Sequence, residues 1–492
     1  MTPADMALLD LNWNALSPML ALFGMASATI LIALFQEDGR VTAAFGFIGI
    51  ATAALLNFNL FATGQVTGEY VSSFGLRYIA DQPALALNFV ILIGLTLAMF
   101  VSYDYLERTD LDHPEYYPLM LLSATGAMVM VAAGDLITLL LGLEIMSLPV
   151  YVLSAWRQGS RESEEAGMKY FLLGAFASAF LVYGIAMMYG ATGSFVYADI
   201  APALLERGFD REFYALLGGM FLLGGLGFKV AFAPFHQWVP DVYTGAPTSV
   251  TAFMSVVVKT AAFAALLRIF NSFYTDLPPV VTQALVVIIV LTLIVGNLGA
   301  LLQKSVKRML AYSAVAHAGY LGMAVLAADT VGTNAAIWYL LAYTFMNAGA
   351  FGALTLLTDK NDYGDALERL SGLGRTRPGL AAAFTIFLLS LAGFPLFAGF
   401  IGKILVFQAA ISAGYLALAV LAIVTSVVAL VYYFRPIAYM YFREPEYQPP
   451  TTESRATSWA VGIAAAATVF LGLFPASWYG LLEAGGRVFA GF

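Results

Sequence analysis

The sequence predicts an all-α polytopic membrane protein of about 14 transmembrane helices, with two inverted five-helix repeats and broken helices 7 and 12. Three observations carry that reading. Of 492 residues, 61% are hydrophobic and only 11% charged, whereas soluble domains carry about 25% charged residues. Apolar runs near the ~20 residues needed to cross a bilayer recur along the whole chain. Basic residues collect in alternate loops, as the positive-inside rule requires.

The runs fall in order. Residues 16–35, 41–62 and 84–103 form an N-terminal three-helix segment within 1–116. Residues 117–133, 136–156, 167–190, 213–239 and 247–270 form a first five-helix repeat spanning 117–270. Asp135, after Ala132-Ala133-Gly134, reads as the N-cap of the fifth run. Residues 280–302, 307–328, 333–357, 379–410 and 412–440 form a second repeat over 271–441, and 457–480 is a last helix within 442–492. Five is odd, so the second repeat runs through the membrane opposite to the first. With both termini outside, fifteen basic residues face the cytoplasm, among them Arg108, Arg157, Lys169, Lys307, Arg308 and Lys360. Five face the other side: Arg77, Arg207, Arg211, Arg268 and Arg487.

Two runs are too long and are interrupted. The seventh contains Pro234 in Lys229-Val-Ala-Phe-Ala-Pro-Phe-His236, and the twelfth contains Gly393-Phe-Pro395, Gly399 and Gly402 before Lys403. Such breaks free backbone groups that hydrocarbon cannot satisfy, so they belong inside protein or beside a hydrated cavity. Interrupted helices in corresponding positions of two halves point to a transport site. The closing helices of the halves match in part: Lys259 precedes Arg268 by nine residues, and Ser426 precedes Arg435 by nine.

Composition excludes several functions. A net charge of −8 and a pI near 5.0 argue against nucleic-acid binding. With no cysteine there is no disulfide, iron–sulfur cluster or thiolate metal site. The three histidines, His113, His236 and His317, form no close ligand pair. No haem, cluster or metal is therefore expected in this chain. The N-terminus lacks a basic n-region and a cleavage site, so no removable signal peptide is expected. Gly402-Lys403 is not a phosphate-binding loop, because Phe397 and Ile404 stand where such a loop needs glycine and serine or threonine.

Five titratable groups lie deep in apolar runs: Glu144, Lys229, Lys259, His317 and Lys403. A charge at the bilayer centre costs roughly 2.5–3.5 kcal/mol even on the lenient insertion scale, so each is a functional-site candidate. Lys259 lies midway along its run, roughly 16 Å from either end, too far for its side chain to snorkel. Its alternative is a structural lysine with a permanent partner. Glu144 needs a partner, and Lys229 is the candidate on the same half. Burial favours the neutral amine and a nearby carboxylate the ammonium, so a moving Glu144 would move the Lys229 proton; the alternative is a static ion pair. Lys403 follows the second break and would gate exit, unless it merely reaches an interface. His317, in Ala-Val-Ala-His317-Ala-Gly-Tyr320, would bridge Lys259 and Lys403; a satisfied core histidine is the competing reading. His236 is expected to fix its loop by a hydrogen bond rather than relay protons. Asp241 reads as a cap or turn residue, and Glu162, Glu164 and Glu165 as a solvated loop.

The stretch from Phe228 to Thr248, including Trp238-Val-Pro240-Asp241-Val-Tyr243-Thr-Gly245-Ala-Pro247-Thr248, resembles the antiporter-like subunits of respiratory complex I, the proton-translocating NADH:quinone oxidoreductase. So do Gly296-Asn297-Leu-Gly-Ala-Leu-Leu-Gln303-Lys304-Ser-Val-Lys307-Arg308-Met-Leu-Ala-Tyr312-Ser313 and Ala316-His317-Ala-Gly-Tyr320. Lys403, where sister branches often carry glutamate, and the absence of a long lateral C-terminal helix point to the N-type branch. The resemblance implies proton translocation through Glu144, Lys229, Lys259 and Lys403 in a bacterial inner membrane. It also implies partnership with other membrane subunits, including sister antiporter-like subunits. NADH, FMN, iron–sulfur clusters and quinone are then expected on partner subunits and no cofactor here. Two alternatives stand at this point: a subunit of an Mrp-type Na+/H+ antiporter, and a membrane spacer whose lysines only hold helices.

Overall fold

A computed structural model describes residues 10–67, 69–206, 208–359, 365–445 and 454–476. Arg207, Lys360 and Arg487, and parts of the C-terminal segment 442–492, lie outside the described residues. Among the described residues, twelve helices are long and apolar enough to cross a membrane, and three shorter apolar helices accompany them. The chain is a multi-pass helical membrane protein, as its composition predicts.

The helices run in order. α1 (Trp13–Ala33) and α2 (Gly39–Thr67) are followed by a small antiparallel hairpin, β1 (Val71–Ser73) with β2 (Tyr78–Ala80). Next come α3 (Gln82–Arg108), α4 (Tyr116–Val131), α5 (Leu136–Ser154), α6 (Arg161–Thr192) and the short α7 (Tyr197–Leu205). The seventh run is α8 (Phe209–Val230) and α9 (Trp238–Gly245), followed by α10 (Thr248–Ser272). Then follow α11 (Pro279–Leu301), α12 (Val306–Ala327) and α13 (Thr330–Thr355). The twelfth run is α14 (Pro378–Ala392) and α15 (Ala398–Ser412); α16 (Leu416–Phe442) and α17 (Arg455–Leu473) complete the described chain.

Burial sorts these helices. α10, α12 and α13 are enclosed almost completely, whereas α1, α6, α11 and α16 present broad apolar faces outward. An outward apolar face suits lipid or neighbouring membrane helices, and the enclosed trio forms an axis shielded from both. Packing between helices in lipid relies on close backbone approach at small residues. A side chain at Gly126 of α4 would lie 2.2 Å from the Met146 nitrogen of α5, and one at Gly296 of α11 would lie 2.4 Å from the Ala316 nitrogen of α12.

Both breaks share a terminus. α8 ends on Ala231 at φ 71° and α14 on Gly393 at φ 85°, each in the left-handed region. The freed backbone groups find internal partners, as hydrocarbon demands. Thr292 Oγ1 accepts from the Ala233 N–H at 2.9 Å, and Ser390 Oγ accepts from the Gly399 N–H at 3.0 Å. The Trp238 indole N–H donates to the Phe228 carbonyl at 2.9 Å, tying α9 back to α8. α10 contains a π-helical turn, Met254–Val258, immediately before Lys259, a distortion that often marks a functional position.

Several local expectations meet the structure here. Asp135 caps α5, accepting from the Thr138 N–H at 2.6 Å. Asp241 is not a cap: its carboxylate is paired with Lys169 at 2.6 Å and Arg308 at 2.9 Å, joining α9 to α6 and α12. Glu162, Glu164 and Glu165 are exposed, but in the first turns of α6 rather than in a loop. Ser160 caps that helix, and early acidic residues suit its positive end. Arg268, counted with the outer surface charges, is buried and holds Asp81 through two hydrogen bonds of 2.8 and 2.9 Å. Its charge is neutralised within the bundle, beside the N-terminus of α3 that Asp81 caps.

Candidate functional site

Lys229, Lys259 and Lys403 are 3–4% exposed and His317 is 1% exposed. Glu144 is half-buried. Each lysine meets a different set of partners.

Lys229 occupies the last turn of α8, where the break brings α5 and α6 against it. Its Nζ donates to Ser147 Oγ at 2.7 Å and to the Tyr151 hydroxyl at 3.1 Å. The rings of Tyr151, Tyr170 and Phe228 surround it at 5.0, 5.3 and 5.9 Å, an arrangement that favours a cation. Tyr170 stacks on Trp238 of α9 at 4.4 Å, so the second half of the broken helix props one wall of this chamber. The expected direct pair with Glu144 is not formed: no ion pair joins the two among the described residues. Glu144 accepts instead from Ser178 Oγ of α6 at 2.6 Å. The reason lies in helix geometry. Ser147 is one turn along α5 and faces the ammonium, while Glu144 shares its side with the exposed Leu141, Ile145 and Leu148. The Glu144 carboxylate still acts electrostatically on Lys229.

Lys259 leaves the π turn of α10 and donates to the Ala314 carbonyl of α12 at 2.6 Å, with the Tyr343 ring of α13 at 5.3 Å. His317, one turn further along α12, has both ring nitrogens engaged. Nδ1 and the Tyr339 hydroxyl are 2.6 Å apart, and Nε2 and the Tyr433 hydroxyl 3.1 Å apart. A neutral imidazole donates at one of these and accepts at the other. Tyr433 in turn hydrogen-bonds Ser313. No hydrogen bond joins His317 to Lys259 or Lys403 among the described residues. Tyr343 lies between it and Lys259, with rings 5.2 Å apart, and Tyr320 lies between it and Lys403, with rings 5.7 Å apart. Both ammonium charges act on the imidazole across those rings.

Lys403 reaches back over the second break. Its Nζ donates to the Ala392 carbonyl, at the C-terminus of α14, at 2.9 Å, and to Ser426 Oγ of α16 at 2.7 Å. The Tyr320 ring is 4.9 Å away. A side chain at Gly393 would lie 2.8 Å from Lys403 Cδ, so the lysine would have to shift to admit one, and the positive φ favours glycine there. Ser426, which stands in the second half where Lys259 stands in the first, is thus a partner of the lysine from the neighbouring break.

His236 lies between the break and α9. Its buried Nδ1 has no hydrogen-bond partner among the described residues, so the expected loop-fixing bond is not seen there. Sequence reasoning missed Ser147, Tyr151, Ser178, Tyr320, Tyr339, Tyr343 and Tyr433. A chain with 26 tyrosines, most placed on apolar helices, gives no signal that singles out these. The chain has no cysteine, and no cluster among the described residues could hold a metal ion. The arrangement offers amines, an imidazole, hydroxyls and one boundary carboxylate inside the bundle. That is chemistry suited to moving protons.

The family model described as NADH:quinone oxidoreductase/Mrp antiporter, transmembrane, matches residues 133–429, from α5 into α16. NADH-quinone oxidoreductase subunit N of Trichlorobacter lovleyi is 42% identical over 438 residues, 89% of each chain. A chain of respiratory complex I from Thermus thermophilus, solved with bound aureothin, superposes with a TM-score of 0.82 at 37% identity, covering 95% of this chain and 100% of that one. A chain of the Mrp complex from a Dietzia species reaches a TM-score of 0.82 at 22% identity, covering 97% of each, a likeness of fold alone. The protein belongs to the antiporter-like membrane subunits of NADH:quinone oxidoreductase, in the branch of subunit N.

Proposed function

We propose that this chain is a proton-translocating subunit of a bacterial NADH:quinone oxidoreductase, and that it carries no redox centre of its own. The observation that supports this best is the buried series from Lys259 through the Tyr343 ring, His317 and the Tyr320 ring to Lys403, with Lys229 buried in its own chamber at the first break. NADH oxidation and quinone reduction then occur on partner subunits, with NADH, FMN, iron–sulfur clusters and quinone held there. This chain works beside sister antiporter-like subunits in the bilayer of the bacterial inner membrane.

The relay runs from the cytoplasmic side past the first break to Lys259, through the tyrosines around His317, and out by Lys403. The segments 117–270 and 271–441 supply its two halves. Each step moves one proton. A neutral lysine amine accepts it from the preceding donor, and the ammonium gives it to the next acceptor. Lifting one proton against 100 mV requires about 2.3 kcal/mol, so the relay needs a drive. Glu144 supplies the handle: at the boundary of the bundle its carboxylate can be displaced or screened by a neighbouring subunit. Ser147 and Tyr151 hold the Lys229 ammonium while that field changes. Lys229 then biases Lys259, and the charge on Lys259 biases His317 and Lys403 in turn.

Replacing Lys229 with alanine in the assembled complex tests this reading. Coupled proton pumping in vesicles is expected to be abolished with the complex intact; normal pumping by that variant refutes the role.

A further inference from the structure

Buried polar groups in folded proteins are nearly always paired. One face of α13 departs from that rule twice among the described residues. Asn347 is wholly buried, and neither its amide nitrogen nor its amide oxygen has a hydrogen-bond partner. Four residues earlier, the buried Tyr343 hydroxyl also has none. Residues four apart share a helix face, here about 6 Å apart along the axis.

The position of this face gives the pair its meaning. The Tyr343 ring is the one that lies 5.3 Å from Lys259 Nζ. Four residues beyond Asn347 on the same face, Phe351 packs edge-on against Tyr243 of α9, with ring centroids 6.2 Å apart. Asn347 therefore lies between the surroundings of Lys259 and the second half of the broken helix. Just past that half, the Ala246 carbonyl accepts from Lys307 Nζ at 2.7 Å. There a cavity of about 230 Å³ opens, lined by Arg157, Glu165, Asp241, Thr244 and Lys307 among others. This is the side to which the basic loops assign the cytoplasm.

A primary amide and a phenol presented side by side offer two donors and two kinds of acceptor. The species that matches such a set, and is small enough for a closely packed axis, is water. We propose that Asn347 and the Tyr343 hydroxyl hold a water molecule that forms the last link from the cytoplasmic cavity to Lys259. When the Lys259 amine is neutral, this water gives it one proton and takes another from the donor on its cytoplasmic side. The amine becomes an ammonium and the water is restored. Asn347 is then a positioning residue, acting through the water rather than on the lysine. The proposal rests on the relay reading given above.

The test uses the whole complex in proteoliposomes, with NADH oxidation and proton uptake measured together for N347L, N347S and K259A. N347L, which keeps the branched outline but has no polar atoms, is expected to lose pumping to the level of K259A. N347S, which keeps a group able to hold water, is expected to retain it. In infrared difference spectra, an O–H band that shifts with ¹⁸O-labelled water is expected in the parent and in N347S and lost in N347L. Should N347L fail to accumulate in the membrane, Y343F is measured in its place with the same expectations. A parent-like proton yield in N347L (or Y343F) beside a lowered one in K259A overturns the water site and leaves the relay standing. A parent-like yield in K259A overturns the relay and this role together.

Discussion

Lys229 and Lys403 both stand at helix breaks, yet their surroundings differ in kind. Lys229 precedes its break and is caged by side chains: two hydroxyls and three aromatic rings, with Glu144 within electrostatic reach. Lys403 follows its break and is held by the backbone, through the Ala392 carbonyl, with the Ser426 hydroxyl and the Tyr320 ring. No carboxylate pairs with it among the described residues. The first site has a carboxylate nearby, half-buried at the boundary of the bundle. The second contains only neutral dipoles, fixed by the break itself. On the proposed relay, this difference suits the first half to the drive and the second to the release.

The largest expected effect separates these lysines from the buried Arg268. Methionine at Lys229 or Lys403 should abolish coupled pumping while the complex still assembles, measured as proton uptake per NADH against subunit content. Asp81→Ala should do the reverse. It removes the carboxylate that pairs with the buried Arg268, which costs about 3–5 kcal/mol, so the subunit should be lost from purified complex before pumping is affected. If Asp81→Ala assembled normally and pumped poorly, the Arg268–Asp81 pair would belong to the relay and the division drawn here would be wrong.

A smaller effect probes the two hydroxyls. Ser147→Ala and Ser426→Ala each remove one charge-assisted hydrogen bond, worth about 1.5–3 kcal/mol. In Ser147→Ala, Tyr151 and Glu144 remain to hold the ammonium, so pumping should fall less than in Ser426→Ala. Equal losses measured in the same vesicles would mean that Tyr151 and Glu144 give no support.

The smallest concerns the breaks. Ala231 adopts a left-handed conformation at φ 71°, which costs a non-glycine residue roughly 1–2 kcal/mol. Ala231→Gly should therefore raise the subunit's thermal stability slightly, whereas Gly393→Ala should lower it and disturb Lys403, whose Cδ a new methyl group would meet at 2.8 Å. A stabilising Gly393→Ala would show that the close approach there is slack.

These contrasts also show how far the sequence could be read. Lys229, Lys259, Lys403, Glu144 and His317 stood out because charge in an apolar run is rare, and both breaks stood out because proline and glycine interrupt a helix. Asp135 was legible as a cap because capping is local. The Glu144–Lys229 contact was misjudged because facing direction depends on how α5 and α8 are rotated, which separation along the chain does not reveal. The Arg268–Asp81 pair joins residues 187 positions apart, and no local pattern announces it. Tyr339, Tyr343 and Tyr433 look like core aromatics, and only their distances to His317 and Lys259 set them apart. Asp241 between Lys169 and Arg308 likewise needed three helices brought together.

The central claim is that an ammonium buried in this bundle gives up and regains its proton during turnover. Lysine-selective ¹⁵N magnetic resonance on the assembled complex, at rest and with NADH and quinone supplied, reads the charge on each amine. The account predicts a neutral-amine signal that grows under turnover and disappears in Lys259→Ala. Signals from Lys229, Lys259 and Lys403 that all remain ammonium in every state would contradict it.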